Sequence, residues 1–329
     1  MQRTSCCAVG LLLAACFTAP PATAETKLRL AHELPITHYG HVYIDQWAKL
    51  VRERSKGDLD ITLFPAGQLY KDADAVQALS AGTLDLQLAV ASYLGVVVPA
   101  MRIVDLPYLV PSAGDLPALL DPNKPLGKFI NDRAREKGVN ILSLWAAGDV
   151  LLVSAKAPIQ SAADLKGRTI RVIGGGAAEA ALTSIGGNPI HLSPVELQTA
   201  VSQGTVDGFQ STYSFWKVFP NMKFGTNVGG LYTLGYAVLA SDKALAKLAP
   251  AQLELLRTTL AEVTAAEIAG VKELDRKDRE ILESKGQKIN QLAPDEIAKW
   301  RGLTEPVYKQ FEQDYGADVL PLLQAQRTK

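Results

Sequence analysis

One arginine differs from the other charged residues because its surroundings suit a small carboxylate. Arg171 lies in Thr169-Ile170-Arg171-Val172-Ile173, a strand-like segment that leads directly into Gly174–Gly176 and a predicted helix. A guanidinium forms bidentate pairs with carboxylates, and the N–H groups at a helix N-terminus bind anions. We therefore predict that Arg171 and this helix N-terminus bind a ligand carboxylate. An arginine on the outer face of a strand fits the spacing equally well.

The sequence lacks the motifs of nucleophilic and nucleotide-dependent chemistry. It contains no Gly-x-Ser-x-Gly nucleophile elbow and no Walker phosphate loop. Gly174–Gly176 follows a strand and opens a helix, as a dinucleotide-binding loop does, but Glu179 stands where that fingerprint needs glycine or alanine. We therefore expect no catalytic residue and no cofactor.

Histidines cluster near the N-terminus at positions 32, 38 and 41, with Glu33 and Asp45 close by. Their spacing matches no standard zinc pattern, so we expect histidines of a turn and a helix start, and no metal site. His32 is the exception, because it ends a predicted strand, and ligands of open α/β sheets bind at strand ends. We include His32 and the adjacent Glu33 among the candidate ligand contacts.

Strand-like and helix-like segments alternate along the chain, which indicates an α/β fold with largely parallel sheets. The predicted helices are a segment around Tyr43–Val51, then Asp72–Ser80, Ala177–Ile185 and Pro194–Gln203. The predicted strands are Lys27–Leu34, Leu59–Phe64, Leu84–Val90, Val139–Trp145, Val150–Ser154, Arg168–Ile173 and Val206–Gln210.

A long uninterrupted helix is predicted from Pro250 to Lys285, where apolar residues keep near-helical spacing and the only internal glycine is Gly270. At 1.5 Å per residue it would be roughly 50 Å long, which exceeds one small domain. We expect it to run along two domains, with Gly270 allowing a bend, and a last helix to start at Pro294.

Composition is that of an ordinary globular protein. The 329 residues are 47% hydrophobic and 21% charged, and 34 basic residues balance 34 acidic ones. This length suggests two domains. Zero net charge argues against a nucleic-acid partner, which would require a basic face to neutralise phosphates.

The first 24 residues have the pattern of a secretory signal peptide. A basic start at Arg3 precedes an apolar run from Ala8 to Phe17, and Ala22-Thr23-Ala24 is a small-x-small cleavage triplet. The run is too short to span a bilayer. Leu13-Ala14-Ala15-Cys16 also resembles a lipobox, so the alternative to cleavage after Ala24 is a lipoprotein tethered through Cys16.

Several short stretches, in order and at characteristic distances, resemble the DctP-like solute-binding proteins of tripartite ATP-independent periplasmic (TRAP) transporters. The similarity covers essentially the whole chain after the leader. The stretches are Leu30-Ala31-His32, Phe64-Pro65-Ala66-Gly67-Gln68-Leu69, Val76-Gln77-Ala78-Leu79, Gly82-Thr83-Leu84-Asp85, Asp105-Leu106-Pro107-Tyr108, Pro158-Ile159, Asp164-Leu165-Lys166-Gly167, Ile170-Arg171-Val172 and Gln203-Gly204-Thr205-Val206-Asp207-Gly208.

The resemblance implies a two-lobed periplasmic binding protein in which a long helix spans both lobes. The lobes would be residues 25–148 with 237–276 and residues 149–236 with 277–329. It implies capture of a small organic acid by hinge closure and delivery to the small and large TRAP membrane subunits. The family's ligand-binding arginine falls on Arg171, and its frequent polar contacts fall on Gln210 and Ser211.

The sequence departs from the family's sialic-acid binders, in which a second arginine stands near the position of Leu151 and an asparagine at that of Ser211. Aromatic residues fall near the implied cleft instead. One arginine with several aromatics suits a monocarboxylate with an apolar or hydroxylated body, but a dicarboxylate stays open. The aromatic candidates are Tyr93, Trp145, Tyr213, Phe215 and Trp216, although Trp145 and Trp216 fit a protein core as well.

Two other kinds of function remain open at this point. A ligand-sensing periplasmic module could share this fold and site, and so could an exported enzyme that acts on an organic acid.

All three cysteines lie within the first 24 residues, so processing decides whether the mature protein contains any. We expect cleavage after Ala24, which gives a chain that begins at Glu25 and has no thiol. Intact mass spectrometry of protein exported by its native leader checks this. A mass that includes Cys16 and a lipid adduct would show the tethered form instead.

Overall fold

The computed structural model describes residues 25–110, 113–121, 123–315, 318–319 and 321–322. The predicted leader and its cleavage site lie outside these residues. Among the described residues, no helix combines the length and apolarity needed to cross a bilayer.

The described strands form two sheets. In chain order they are β1 (Thr26–Ala31), β2 (Leu59–Phe64), β3 (Leu86–Val90), β4 (Val139–Asp149), β5 (Leu151–Ser154), β6 (Thr169–Val172), β7 (Asn188–His191), β8 (Gly208–Ser211), β9 (Phe224–Asn227), β10 (Thr233–Ser241) and β11 (Lys288–Gln291).

The helices surround and connect these sheets. They are α1 (Tyr39–Arg54), α2 (Asp72–Ala81), α3 (Leu116–Leu119), α4 (Pro125–Glu136), α5 (Gly176–Ser184), α6 (Pro194–Gln203), α7 (Tyr213–Trp216), α8 (Asp242–Leu245), α9 (Pro250–Ser284) and α10 (Pro294–Tyr315). Shorter 3-10 turns include Ala91–Val96 and Pro99–Asp105.

Each sheet is the centre of one lobe, and both sheets are mixed rather than largely parallel. The first has the order β2-β1-β3-β10-β4, in which β10 runs antiparallel to both neighbours. The second has the order β11-β9-β5-β8-β6-β7, in which β5 is the antiparallel strand. The direction reverses because β10 and β5 are the strands that enter each sheet from the other lobe.

Apart from α9, which carries the chain from β10 in the first sheet to β11 in the second, the chain crosses between the lobes at two adjacent places. It leaves the first sheet at Val150, between β4 and β5, and returns between β9 and β10. The crossings lie side by side because Thr233 is the register partner of Asp149. The predicted boundary between residues 236 and 237 falls inside β10, so the sheet pairing favours a boundary before that strand.

Helix α9 has 35 residues and contacts both lobes, which confirms the predicted long helix. In the first lobe, the indole Nε1 of Trp47 donates to Thr259 Oγ1 at 3.1 Å. In the second lobe, Lys217 and Ser214 both bind the buried carboxylate of Asp278. Gly270 makes room for the hydroxyl of Tyr43, which packs where a β-carbon would lie.

A carboxylate of α9 binds the first crossing directly. The backbone N–H of Asp149 donates to Asp275 Oδ2 at 3.1 Å. Gly148 precedes it with φ of +88°, and a β-carbon there would meet the same carboxylate. Glycine is therefore required at this position, both for its backbone conformation and for the close approach of Asp275.

A second acidic residue of α9, Glu267, is completely buried against β4. Neither of its carboxyl oxygens has a hydrogen-bond partner among the described residues. Burial raises the pKa of Glu267 to about 8, while the backbone of Ala146 opposes the shift. Burial likewise raises the pKa of Asp275 to about 7. Helix α9 therefore carries two carboxyl groups, Glu267 and Asp275, that keep their protons to higher pH than they would in an unfolded chain.

Glu267 predicts a fall in stability with rising pH. Folded protein keeps this proton up to about pH 8, whereas the unfolded chain releases it near the ordinary value of 4.5. Between those values the folded state holds more protons, so the free energy of unfolding falls by up to about 1.4 kcal/mol per pH unit from this group. Asp275 adds a further decline that ends near pH 7.

Glu267→Gln should therefore gain stability relative to the parent protein as pH rises, by roughly 4 kcal/mol between pH 5 and pH 8.5. Urea unfolding at both pH values measures this difference. Glu254→Gln, at an exposed position of the same helix, controls for the change in net charge. An equal effect of Glu267→Gln at the two pH values would contradict the buried-acid explanation.

Candidate functional site

A cavity with an empty volume of about 760 Å³ lies between the two lobes. The second lobe contributes Arg171, Ile173, Pro194, Thr212 and Phe215. The first lobe contributes Glu33, Leu34, Pro35, His38, Gln87, Leu88, Ala89, Val90, Tyr93, Leu234 and Tyr236. Most of these side chains are apolar or aromatic, so an ion that enters this cleft is separated from water.

Arg171 is the only lysine or arginine among the described residues that line the cleft. It lies near the end of β6 and is 3% exposed. Its Nε donates to the carbonyl oxygen of Leu192 at 2.9 Å, which fixes the direction of the guanidinium. Burial raises the pKa of Tyr236 far above its usual range, and the positive charge of Arg171 opposes that shift. Arg171 therefore acts electrostatically on the aromatic wall supplied by β10.

His38 lines the cleft, although the sequence indicated only a helix-start residue. It is the N-cap of α1, and its Nδ1 accepts a hydrogen bond from the backbone N–H of Gly40 at 3.1 Å. Its ring packs on Tyr39 and approaches Tyr236 edge-on, with centroids 4.4 and 5.9 Å away. Burial, with help from His32 and Lys217, lowers the pKa of His38 to about 3. The imidazole is therefore neutral.

His32 does not line the cleft, although it closely follows β1 as predicted. It is buried, and its Nε2 lies 3.0 Å from Nδ1 of His41. Burial and the adjacent His41 lower the pKa of His32 to about 4. The described residues contain no group of three side chains suited to a metal ion.

The remaining candidates divide between the cleft and the core. Glu33, Tyr93 and Phe215 line the cleft with Arg171. Trp145 and Trp216 are fully buried, and their indoles donate to Thr264 Oγ1 and to the carbonyl of Met222, both at 2.9 Å. Neither tryptophan lines the cleft.

Of the predicted contacts in β8 and just after it, none lines the 760 Å³ cavity, but Gln210 lines a smaller adjoining cavity that shares Ile173 and Leu234 with it. Gln210 accepts the backbone N–H of Ile173 at 2.7 Å, and the Ser211 hydroxyl donates to the carbonyl of Thr212. Tyr213 is also buried, and burial raises its pKa to about 12. Thr212 lines the cleft instead, because it follows the last residue of β8.

Besides His38, three polar side chains of the cleft were missed by the sequence reasoning: Gln87 of β3, Thr212 and Tyr236 of β10. Gln87 is the informative case. It is a polar residue between Leu86 and Leu88 of a predicted strand, and a polar residue flanked by apolar ones is the same signal that identified Arg171.

An internal carboxylate occupies the helix N-terminus that was predicted to receive the ligand. Asp105, from the first lobe, accepts the backbone N–H of Gly175 at 3.1 Å at the start of α5. Gly174 has φ of +95°, and a β-carbon there would lie 2.8 Å from Asp105 Oδ1. Burial raises the pKa of Asp105 to about 6, and the hydrogen bonds from Gly175 and Ser92 oppose that shift. Because they lack a β-carbon, Gly174 and Gly175 therefore allow the Asp105 carboxylate of the first lobe to approach the start of α5 in the second.

A larger outer cavity adjoins the cleft and shares Pro35, His38 and Phe215 with it. Both lysines on its wall already have acidic partners. Lys217 pairs with Asp278, and Lys277 lies 3.5 Å from Glu273. The outer cavity therefore adds space to the cleft without adding a strong positive charge.

Comparison with known proteins identifies one family and one architecture. Residues 30–314 match bacterial extracellular solute-binding protein, family 7, named DctP. The C4-dicarboxylate-binding periplasmic protein DctP of Vibrio cholerae is 27% identical over 274 residues, which cover 83% of this chain and 82% of the relative.

Two solved structures illustrate the shared fold. A TRAP periplasmic solute-binding protein of Sulfurospirillum deleyianum with bound succinate is 29% identical, has a TM-score of 0.81, and is matched over 92% of this chain and 99% of that one. One from Sulfitobacter with bound β-D-galacturonate is 22% identical, has a TM-score of 0.85, and is matched over 92% and 100%. At that lower identity the second comparison supports the fold alone.

Gly174→Ala tests the contact between Asp105 and the start of α5. The substitution strains a left-handed backbone position and displaces the Asp105 carboxylate. Gly167→Ala is the matched control, because Gly167 has φ of +75° but no heavy atom within 4 Å of its added carbon. We expect Gly174→Ala to lower the free energy of unfolding by at least about 1 kcal/mol more than Gly167→Ala, measured by urea denaturation. Equal losses would show that the carboxylate contact contributes nothing.

Proposed function

The chain belongs to family 7 of the bacterial extracellular solute-binding proteins, and we propose that it captures a small organic acid between its lobes. The observation that carries the proposal is the buried guanidinium of Arg171 in a largely apolar cleft. A positive charge attracts anions more strongly where water is excluded, and a carboxylate matches the planar guanidinium. The similarity first seen in short stretches of sequence is thus a true family relationship.

Capture would proceed by movement of the lobes about the two adjacent crossings. The first crossing is at Val150 and the second contains Gly229 and Gly230, both with positive φ. We therefore move the second predicted boundary from residue 236 to this glycine pair and keep the first near Asp149. A ligand that touches both lobes would favour the closed arrangement over the open one.

The relatives favour a periplasmic location and delivery to a transporter. The Vibrio cholerae relative is named periplasmic, and the Sulfurospirillum deleyianum structure is that of a TRAP solute-binding protein. We propose that this chain hands its ligand to small and large membrane subunits of the same type. Genes for such subunits beside this one would favour transport over a ligand-sensing module.

Binding without turnover is the second part of the proposal, because the family consists of solute-binding proteins. A thermal-shift panel of organic acids should give saturable stabilisation with at least one carboxylate. Chromatography of the same acid after prolonged incubation should recover it unchanged. Conversion of the acid by purified protein would instead support an exported enzyme.

Arg171→Ala should weaken binding of the acid found in that panel by at least about 2 kcal/mol, roughly 30-fold, which is a typical loss when one partner of a buried charge pair is removed. Arg171→Lys should recover only part of this loss, because an ammonium cannot form the bidentate pair. Isothermal titration calorimetry measures both affinities.

Arg168→Ala is the control for the Arg171 variants. That arginine begins the same strand region, but it donates to the carbonyl of Ala157 and does not line the cleft. Unchanged affinity in folded Arg171→Ala protein would remove the basis of the proposed function.

A further inference from the structure

The position of His38 suits a hydrogen bond to a second polar group of the ligand, and this inference rests on the function proposed above. Its ring lines both the cleft and the outer cavity, so it stands where the two meet. Arg171 and His38 both line the cleft with Tyr236, whose ring lies 5.9 Å from that of His38 and whose hydroxyl feels the Arg171 charge. A ligand whose carboxylate pairs with Arg171 would therefore lie in the same cavity as the His38 ring.

The capping role of His38 determines which hydrogen bond its ring can offer. Nδ1 accepts the N–H of Gly40, so this nitrogen carries no proton. In a neutral imidazole the proton is then on Nε2, on the opposite side of the ring. Among the described residues, no hydrogen-bond partner of Nε2 is present, and the side chain is only partly buried. The ring therefore offers one fixed N–H donor.

His38 is poorly suited to become a cation for a second carboxylate. Protonation of Nδ1 would break the N-cap bond and set two N–H groups against each other. His32 and Lys217 act in the same direction, because a nearby positive charge disfavours the imidazolium. The neighbouring tyrosines, Tyr39 and Tyr236, are neutral.

Among the described residues that line the two cavities, every lysine or arginine other than Arg171 already pairs with a carboxylate, so none is left to balance a second negative charge. Glu33 is itself acidic, and Lys217 and Lys277 of the outer cavity already have carboxylate partners. A second carboxylate would enter an apolar space without its own counter-ion, which is strongly unfavourable.

We propose that the ligand is a monocarboxylate with a hydroxyl or keto oxygen close to its carboxylate, and that the Nε2–H of His38 donates to this oxygen. The apolar and aromatic walls formed by Leu88, Tyr93 and Phe215 would enclose the rest of the molecule. His38 is then a residue that determines specificity, and Arg171 is the one that supplies the charge.

Matched acids test the assignment by calorimetry. The probes are 3-phenyllactate against 3-phenylpropanoate, and 2-hydroxy-4-methylpentanoate against 4-methylpentanoate, with succinate as the dicarboxylate. We expect at least one hydroxy acid to bind at least about tenfold more tightly than its partner without the hydroxyl, and more tightly than succinate.

Two variants of His38 distinguish its proposed role as a hydrogen-bond donor through Nε2 from its role as the N-cap of α1 through Nδ1. His38→Ser keeps an N-cap oxygen but removes the Nε2–H, so the preference for the hydroxy acid should fall below about threefold. His38→Gln retains an amide donor on a long side chain and should restore part of that preference, even where thermal stability is lower. Thermal unfolding of each variant shows that it is folded.

The outcomes distinguish this inference from the proposed function. Tighter binding of succinate, an absence of hydroxyl preference in the parent protein, or a full preference that survives in His38→Ser would overturn the role of His38 while carboxylate capture stands. Failure of the parent protein to bind any acid of the wider thermal-shift panel would overturn both.

Discussion

The arrangement of the two lobes is built around one buried positive charge, the guanidinium of Arg171. An arginine that is 3% exposed needs fixed partners, and the carbonyl of Leu192 provides one on the second lobe. The opposite wall of the cleft comes from the first lobe, where Tyr236 lies within reach of the charge. The positive charge of Arg171 belongs to the second lobe, and most of the apolar wall around it belongs to the first. The affinity for an anion is therefore linked to how the two lobes are arranged.

The connections between the lobes explain how that arrangement is kept accurate. Helix α9 crosses both lobes, and its Asp275 binds the backbone of Asp149 where the chain leaves the first sheet. At a separate contact, the Asp105 carboxylate of the first lobe accepts the backbone N–H of Gly175 at the start of α5 in the second lobe. Both contacts use a carboxylate, which is buried for Asp105 and partly buried for Asp275, and a glycine with positive φ. Such contacts are short and directional, so they limit the movement to rotation about a few residues.

The sequence correctly predicts the features that depend on local chemistry and on the spacing of apolar residues along the chain. The 3.6-residue pattern and terminal proline defined α9, and an arginine in an apolar strand identified the charge of the cleft. It was insufficient where a residue's role depends on distant neighbours. Trp145 and Trp216 are aromatic like the wall of the cleft, yet they pack in the core. Strand β10 returns from the other lobe and brings Tyr236 to the cleft, a placement that no local pattern contains.

Asp105 also changes how the ligand must be recognised. The start of α5 is a ready anion site by its geometry, but the protein's own carboxylate already occupies it. In the function proposed above, a ligand carboxylate would therefore obtain its charge pairing from Arg171, and additional selectivity would come from neutral groups. The cleft offers such groups in His38, Gln87 and Thr212. Because neutral donors discriminate by the position of oxygen atoms rather than by total charge, the proposed site would separate acids by their substituents more than by their number of carboxylates.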